Sequence, residues 1–241
     1  MHRFFAERTG PAAARLPEGE ARHALTVLRL SAGDQVQLIL EETLFSAVIT
    51  SVSDGVQARL VSALPSPEPS VRVTLLQGLP KADKMDWIVQ KCTEAGVFSI
   101  VPVQMPRCVA KTDAKDGARK AERWRRIALE AAKQSGRTHV PDVSAPLSAA
   151  QAAASLPRDA LKLVPWEEEK AVPLSRALME HPDSRNICLI IGPEGGMGED
   201  EIAAWKNMGA LPVTLGPRIF RTETAALAAV LLTLNAFHAY D

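Results

Sequence analysis

Two glycine-bearing segments near the C-terminus constrain the fold of this 241-residue chain more than any other feature: Gly192-Pro-Glu-Gly-Gly-Met-Gly198 and Leu215-Gly-Pro-Arg-Ile-Phe-Arg-Thr-Glu-Thr-Ala225. Each follows an apolar β-like run, Ile187–Ile191 and Pro212–Leu215, and each leads into a helix-like stretch. Strand, turn and helix in succession are the unit of open α/β sheets. Such sheets bind ligands beyond the carboxyl ends of neighbouring strands. Glycine lets backbone come close to a ligand, and Pro193 fixes φ and stiffens the first loop. The pattern predicts a small-molecule site built from two loops, with Gly192, Gly195 and Gly196 offering backbone to it.

The rest of the chain supports an α/β reading with a smaller β-rich domain in front. Pro65-Ser-Pro-Glu-Pro-Ser70 reads as a stiff linker, giving domains at 1–67 and 71–241. Before it lie strand patterns at 35–40, 44–52 and 56–64, with Asp54-Gly55 as a hairpin signal. Residues 41–46 (EETLFS) carry no such signal. This part reads as a small β-barrel. After the linker, strands at 71–76, 99–103, 161–164, 187–191 and 213–215 alternate with helices at 82–95, 118–135, near 174–180, 199–208 and 223–239. That alternation predicts a parallel sheet covered by helices. The final helix is apolar almost all round, so it is expected to be buried on more than one side.

Charge is balanced overall, with 28 Lys and Arg against 28 Asp and Glu, but not locally. Residues 71–140 hold 14 basic against 7 acidic side chains, whereas 1–70 hold 6 against 8. Arg119, Lys120, Arg123, Arg125 and Arg126 crowd one helix with Glu122 against them, a footprint for a phosphate backbone. The competing reading is a solvated helical face. No run approaches the roughly 18 apolar residues of a membrane span, and the N-terminus MHRFFAERTG lacks an apolar signal region. Cys92, Cys108 and Cys188 are too few and too scattered for a disulfide framework or a zinc site. A cytoplasmic protein without a metal is expected.

The usual nucleotide fingerprints fail. No lysine follows Gly192–Gly196 as a Walker loop requires, and Glu201 stands where a dinucleotide loop needs its last glycine. Glu194, Glu199, Asp200 and Glu201 would repel a triphosphate. A neutral or cationic ligand suits the loop better.

IIGPEGG followed by a Glu-rich helix start, then LGPRIFRTETA, resembles the C-terminal signature of the RsmE-type small-subunit rRNA uracil-N3 methyltransferases, of the SPOUT class. Further matching segments are Arg3-Phe-Phe5, His23–Arg29, Gln77–Lys84, Gln90–Gly96 and Glu130–Arg137, in the right order along nearly the whole chain. Ala95, Phe220 and Cys108 depart modestly from the pattern.

The resemblance implies a SPOUT α/β domain with a deep trefoil knot, preceded by a PUA- or OB-like RNA-binding barrel. It implies S-adenosyl-L-methionine as methyl donor, bound in the knotted crevice. Val164, Pro165, Ile191, Gly192, Pro193, Glu194, Gly195 and Gly196 would contact it from one side. Leu215, Gly216, Ile219, Phe220, Thr224 and Ala225 would do so from the other, with Pro165–Glu167 as a third wall. The target would be a uridine of 16S rRNA near the decoding centre in the assembled small subunit, and the enzyme a homodimer. Arg3, Arg22, His23, Arg29, Lys81, Lys84, Arg107, Arg123 and Arg126 are the implied RNA contacts.

For methyl transfer to N3, Arg221 is the candidate to hold a phosphate or a uracil oxygen, and Glu223 or Glu194 the candidate base. Against this stands a capping arrangement, with Thr222 as N-cap and an arginine paired to Glu223. His23 has an equally simple reading as a packed or capping residue, and Lys81, Lys84 and Lys91 as exposed lysines of an amphipathic helix. A ribose 2′-O-methyltransferase and a non-catalytic ribosome-assembly factor are the rival functions.

Overall fold

A computed structural model describes residues 1–109 and 112–240. The chain forms two compact units. One comprises Met1–Glu68 with Lys133–His139; the other comprises Pro69–Ala132 and the chain from Val140 onward.

The first unit is a six-stranded sheet around its own core of Phe4, Leu16, Val36, Leu38 and Ile49. Its strands are β1 (Arg3–Phe5), β2 (Glu7–Gly10), β3 (Ala13–Arg15), β4 (Gln35–Leu40), β5 (Thr43–Ser51) and β6 (Gln57–Ala63), in the order β1-β4-β5-β6-β3-β2. Helix α1 (Glu18–Arg22) and a π-helical turn over His23–Val27 lie between β3 and β4. The three longest strands fall where alternation of Val, Leu and Ile put them. The hairpin between β4 and β5 forms without an Asp-Gly turn. Leu40 pairs with Thr43, and the two turn residues are Glu41 and Glu42 at φ 50° and 63°. A two-residue turn matching strand twist needs positive φ at both central positions, and here two glutamates accept that strain in place of Asn-Gly.

The proline-rich stretch is anchored within this unit. The Glu68 carboxylate accepts hydrogen bonds from Arg137 Nη2 at 2.7 Å, Thr138 N at 2.8 Å and His139 N at 3.1 Å. Burial pushes its pKa up, but Arg137 and the two amides outweigh burial and hold it below the ordinary carboxylate value.

The second unit is a wholly parallel sheet. Its strands are β7 (Arg72–Gly78), β8 (Ser99–Gln104), β9 (Asp142–Val143), β10 (Leu147–Ser148), β11 (Leu161–Pro165), β12 (Asn186–Ile191) and β13 (Ala210–Val213). The order is β10-β8-β7-β12-β11-β13, with β9 beside β8. Helices α2 (Lys84–Ala95), α3 (Ala114–Ser135), α4 (Ala149–Ala154), α5 (Leu174–Met179), α6 (Glu199–Asn207) and α7 (Thr222–Ala236) complete it. Strands buried on both faces need continuous apolar runs, and Ile187–Ile191 supplies one: all five residues are buried.

Several boundaries differ from expectation: β7 runs to Gly78, α2 starts at Lys84 and α3 at Ala114, and the last strand and last helix shift as well. The last strand is Ala210–Val213 rather than 213–215. Gly209, at φ 80°, ends α6 and starts the strand at once, while Thr214 makes only an isolated bridge to Pro173. Pro212 is tolerated because β13 is an edge strand bonded to β11 alone. The last helix spans 222–236 rather than 223–239. It is buried through Ala226, Ala229, Val230, Thr233 and Leu234 against the sheet, α2 and α5. Within this single chain, Leu231 and Leu232 on its other side are 38% and 50% exposed.

Candidate functional site

The parallel order brings the carboxyl ends of β7, β12, β11 and β13 side by side, and the site is built from the loops that leave them. Gln77 and Gly78 end β7. An ideal Cβ on Gly78 would stand 2.7 Å from Pro193 N and Cδ, so only glycine allows the first glycine loop to rest on β7. Gln77 is fully buried, and its Nε2 donates to Thr222 Oγ1 at 2.9 Å. Thr222 Oγ1 donates in turn to the Gly192 carbonyl at 2.6 Å. One hydroxyl thus ties the end of β7, the loop after β12 and the start of α7.

Pro165-Trp166-Glu167, leaving β11, lies between the two glycine-bearing loops. Trp166 Nε1 donates to the Met197 carbonyl at 3.3 Å, and Trp166 N to the Val213 carbonyl at 3.0 Å. Gly196 takes φ 67°, and a Cβ there would meet Glu167 Oε1 at 2.5 Å. Beyond the first loop, Glu201 accepts the Gly198 N–H at 3.0 Å and, with Glu199 and Asp200, sits in the first turn of α6, where negative charge is favoured.

Two cavities open between these loops. The larger, about 460 Å³, is lined by Pro165, Ile191–Met197, Ile219–Thr222, Ala225, Lys84 and Glu167. The smaller, about 100 Å³, is lined by Pro165–Glu167, Lys170, Thr214–Phe220 and Ala225. They share Pro165, Glu167, Ile219, Phe220 and Ala225. Of the residues expected around a cofactor, all but Val164 and Thr224 line one cavity or both. Val164 is buried inside β11, and Thr224 is exposed on α7. Sequence reasoning missed Thr222 as a loop tie, and with it Met197 and the side chain of Gln77. A polar residue closing the apolar run of β7 was the available signal for Gln77.

Two of the three candidate catalytic residues, Glu194 and Glu223, meet at Lys84, the first residue of α2. Its Nζ lies 3.0 Å from Glu194 Oε1 and 3.3 Å from Glu223 Oε2. Glu194 also accepts the Lys81 N–H at 3.1 Å. Hydrogen bonding to Glu194 raises the Lys84 pKa, against burial, so this lysine stays charged. Burial pushes Glu194 up, but its own backbone N–H, Lys84 and the Lys81 amide together hold it low. Glu223 Oε2 is buried and pairs with the Lys84 ammonium. The capping expectation is corrected here. Arg221, not Thr222, occupies the N-cap position, no side chain caps α7, and the partner of Glu223 is a lysine rather than an arginine. Arg221 is exposed and lines the larger cavity.

The expected RNA contacts divide into engaged and open side chains. Arg3 donates to Gln37 Oε1 at 3.0 Å and to the Gly136 carbonyl. Arg123 pairs with Asp86 and, at 3.7 Å, with Asp83. Arg119 and Lys120 both pair with Asp116 at 2.8 Å, and Arg22 with Glu18 at 3.8 Å. Much of the basic helix is therefore neutralised within the chain. Arg107 donates to the Gly195 carbonyl at 3.2 Å, against the first loop. Arg126, His23 and Arg29 are exposed, and Arg29 sits at φ 55° just after the π-helical turn. Lys81 is exposed, and Lys91 pairs with Glu94 at 2.9 Å. Among the described residues no group of three or more His, Cys, Asp or Glu is placed to hold a metal, and no helix is long and apolar enough to cross a membrane.

A parallel sheet with a three-walled cleft at its carboxyl edge, preceded by a separate small β unit, is an α/β architecture built to bind a small molecule. Residues 66–234 match the RNA methyltransferase domain family and residues 16–61 the RNA methyltransferase PUA domain family. The chain is 34% identical to ribosomal RNA small subunit methyltransferase E of Bacillus subtilis, over 95% of this chain and 94% of the relative. It is 34% identical to the Mycobacterium tuberculosis protein of the same name, over 88% and 82%. A crystal structure of ribosomal RNA small subunit methyltransferase E from Neisseria gonorrhoeae bound to S-adenosyl methionine superposes with a TM-score of 0.81 at 32% identity, over 95% of each chain. The chain belongs to the ribosomal RNA small subunit methyltransferase E family.

Proposed function

We propose that the chain transfers a methyl group from S-adenosyl-L-methionine to N3 of one uridine of 16S rRNA in the assembled small subunit. The observation that carries this reading is the cleft itself. Three loop walls enclose about 460 Å³, within the range of small-molecule sites, and its charged lining suits a cationic donor and an acidic N–H acceptor. Ile191, Ile219, Phe220 and Ala225 would hold the donor's apolar parts, while backbone of Gly192–Gly196 would meet its polar edges. When bound, the donor supplies an electrophilic methyl group on a sulfonium, and no metal is needed.

The protein's own task is to prepare the acceptor. Uracil N3 carries a proton at neutral pH and is a poor nucleophile until that proton leaves. Arg221 and the ammonium of Lys84 would stabilise charge developing on the flanking oxygens. Glu223, paired with Lys84 alone at 3.3 Å, is a better proton acceptor than Glu194, which Lys84 at 3.0 Å and the Lys81 amide both engage. N3 lies on the pairing edge, so the target must be unpaired or extruded. Arg126, His23 and Arg29 remain open for RNA, with Arg107 at the rim held against the first loop.

A trefoil knot is supported by the chain order: β13 lies beyond β11, yet α7 returns to pack on β7 and β12. A homodimer is supported by the apolar side of α7 that this chain leaves uncovered, around Leu231 and Leu232. The division at residues 67–71 and a cytoplasmic location complete the reading.

The test is transfer of labelled methyl to small subunits lacking the modification, followed by nuclease digestion and mass mapping. The expected product is one base-methylated uridine that stops reverse transcriptase. A ribose-methylated nucleotide, or no transfer by a protein that binds RNA, would contradict the proposal.

A further inference from the structure

Among the described residues that line the two joined cavities, Glu167 is the one carboxylate outside the Lys84 cluster, and it stands where the cavities join. Its side chain makes no hydrogen bond or ion pair among the described residues; only its backbone carbonyl is engaged, by Lys170 Nζ. The carboxylate rests against Gly196, where a Cβ would come within 2.5 Å of Oε1. The glycine therefore leaves room for an anion beside the first loop. A free carboxylate facing a cleft repels anions and stabilises a cation, and the attraction grows as the ligand displaces water.

The donor proposed above carries its fixed positive charge in the middle of the molecule, at the sulfur that links adenosine to the amino-acid portion. A ligand spanning two joined chambers places its ends in the chambers and its middle at the junction. We propose that Glu167 faces the sulfonium, so that the pocket distinguishes the charged methyl donor from the neutral thioether left after transfer. This deepens the methyltransferase reading and rests on it. On transfer the methyl–sulfur bond breaks with its electron pair staying on sulfur, and the new bond forms at the acceptor nitrogen as its proton leaves to a carboxylate. The junction then loses a unit of positive charge. Glu167 is left facing an uncharged sulfur, which weakens product binding and favours release. Gly196 serves the same device, because a side chain there would push the carboxylate away.

Calorimetric titration of wild type and Glu167→Gln separates the possibilities without measuring catalysis. The ligands are S-adenosylmethionine, S-adenosylhomocysteine and sinefungin, in which a protonated amine replaces the sulfonium. Glu167 is exposed, so the near-isosteric amide leaves the fold intact, which circular dichroism checks. Expected is a loss of roughly tenfold in affinity for the two ligands charged at the centre, the size of a partly screened ion pair, with S-adenosylhomocysteine unchanged. Equal weakening of all three would assign Glu167 to the α-ammonium group that all share, and would overturn the proposal, as would no weakening at all. Wild-type protein that binds none of the ligands would overturn the methyl-donor reading as well, a result distinct from either.

Discussion

At the scale of single residues, one hydroxyl sets the arrangement on which the cleft depends. Thr222 Oγ1 links Gln77 on β7 to the Gly192 carbonyl after β12. Thr222→Val keeps the shape but takes the hydroxyl donor from the partly buried Gly192 carbonyl and one of two acceptors from buried Gln77 Nε2, which also donates to the Gly78 carbonyl; the cost is about 1–3 kcal/mol. Chemical denaturation should show that loss, and a change below about 0.5 kcal/mol would count against the tie. Threonine at a helix start reads as an N-cap, yet the cap position belongs to Arg221. Sequence reveals a residue's type, but not a partner 145 positions away. Arg221 itself makes no cap bond and faces the cavity, freeing it for substrate. Arg221→Ala should reduce methyl transfer by roughly 100-fold or more while calorimetry shows donor affinity nearly unchanged; a fully active variant would remove Arg221 from its role. The Lys84 cluster was legible only in pieces, because Lys84, Glu194 and Glu223 lie on three segments that the parallel sheet alone brings together.

At the scale of elements, the contact between β7 and the first glycine loop is backbone against backbone. Gly78→Ala places a methyl 2.7 Å from Pro193 N and 3.0 Å from the Gly192 carbonyl carbon, neither of which can swing aside. The variant should fold, because β7 keeps its two neighbours, but bind the donor at least tenfold more weakly, about 1.4 kcal/mol. Undiminished affinity would mean that the loop does not shape the site. Glu68 offers a test by pH. Its folded pKa lies below its unfolded value near 4.5, so its stabilisation is complete above that value and fades as pH falls through the lower folded one. Glu68→Gln should therefore lower Tm at pH 7 and differ less from wild type at pH 3; a gap that widens in acid would contradict this. The long strands and α2, α3 and α6 were legible because periodicity over six or more residues leaves little choice, whereas α7, apolar almost all round, carries no such period. The strands β1, β2 and β3, at 3, 4 and 3 residues, are too short to carry a period, and the Glu41-Glu42 turn lacks the residues that normally announce it.

At the scale of the whole molecule, the central claim is that loops after β11, β12 and β13 together receive a methyl-sulfonium donor. Composition, charge and length gave no hint of the cleft's shape. The two glycine segments marked its walls, while the sheet order that sets them side by side came from the fold. A third cavity, about 340 Å³, sits near the amino ends of β7, β8 and β12, where Arg72 lies 4.8 Å from the centre of the Phe98 ring. That cavity is the natural control, since it offers comparable space without glycine loops or the Lys84 cluster. The most direct measurement is a crystal structure of this chain with S-adenosylmethionine at saturating concentration. The expected result is the donor seated between Gly192–Gly196 and Leu215–Phe220, its sulfur toward Glu167 and its methyl group open toward Arg221 and Lys84. A donor found beside Arg72 and Phe98, or a cleft empty in a crystal saturated with ligand, would contradict it.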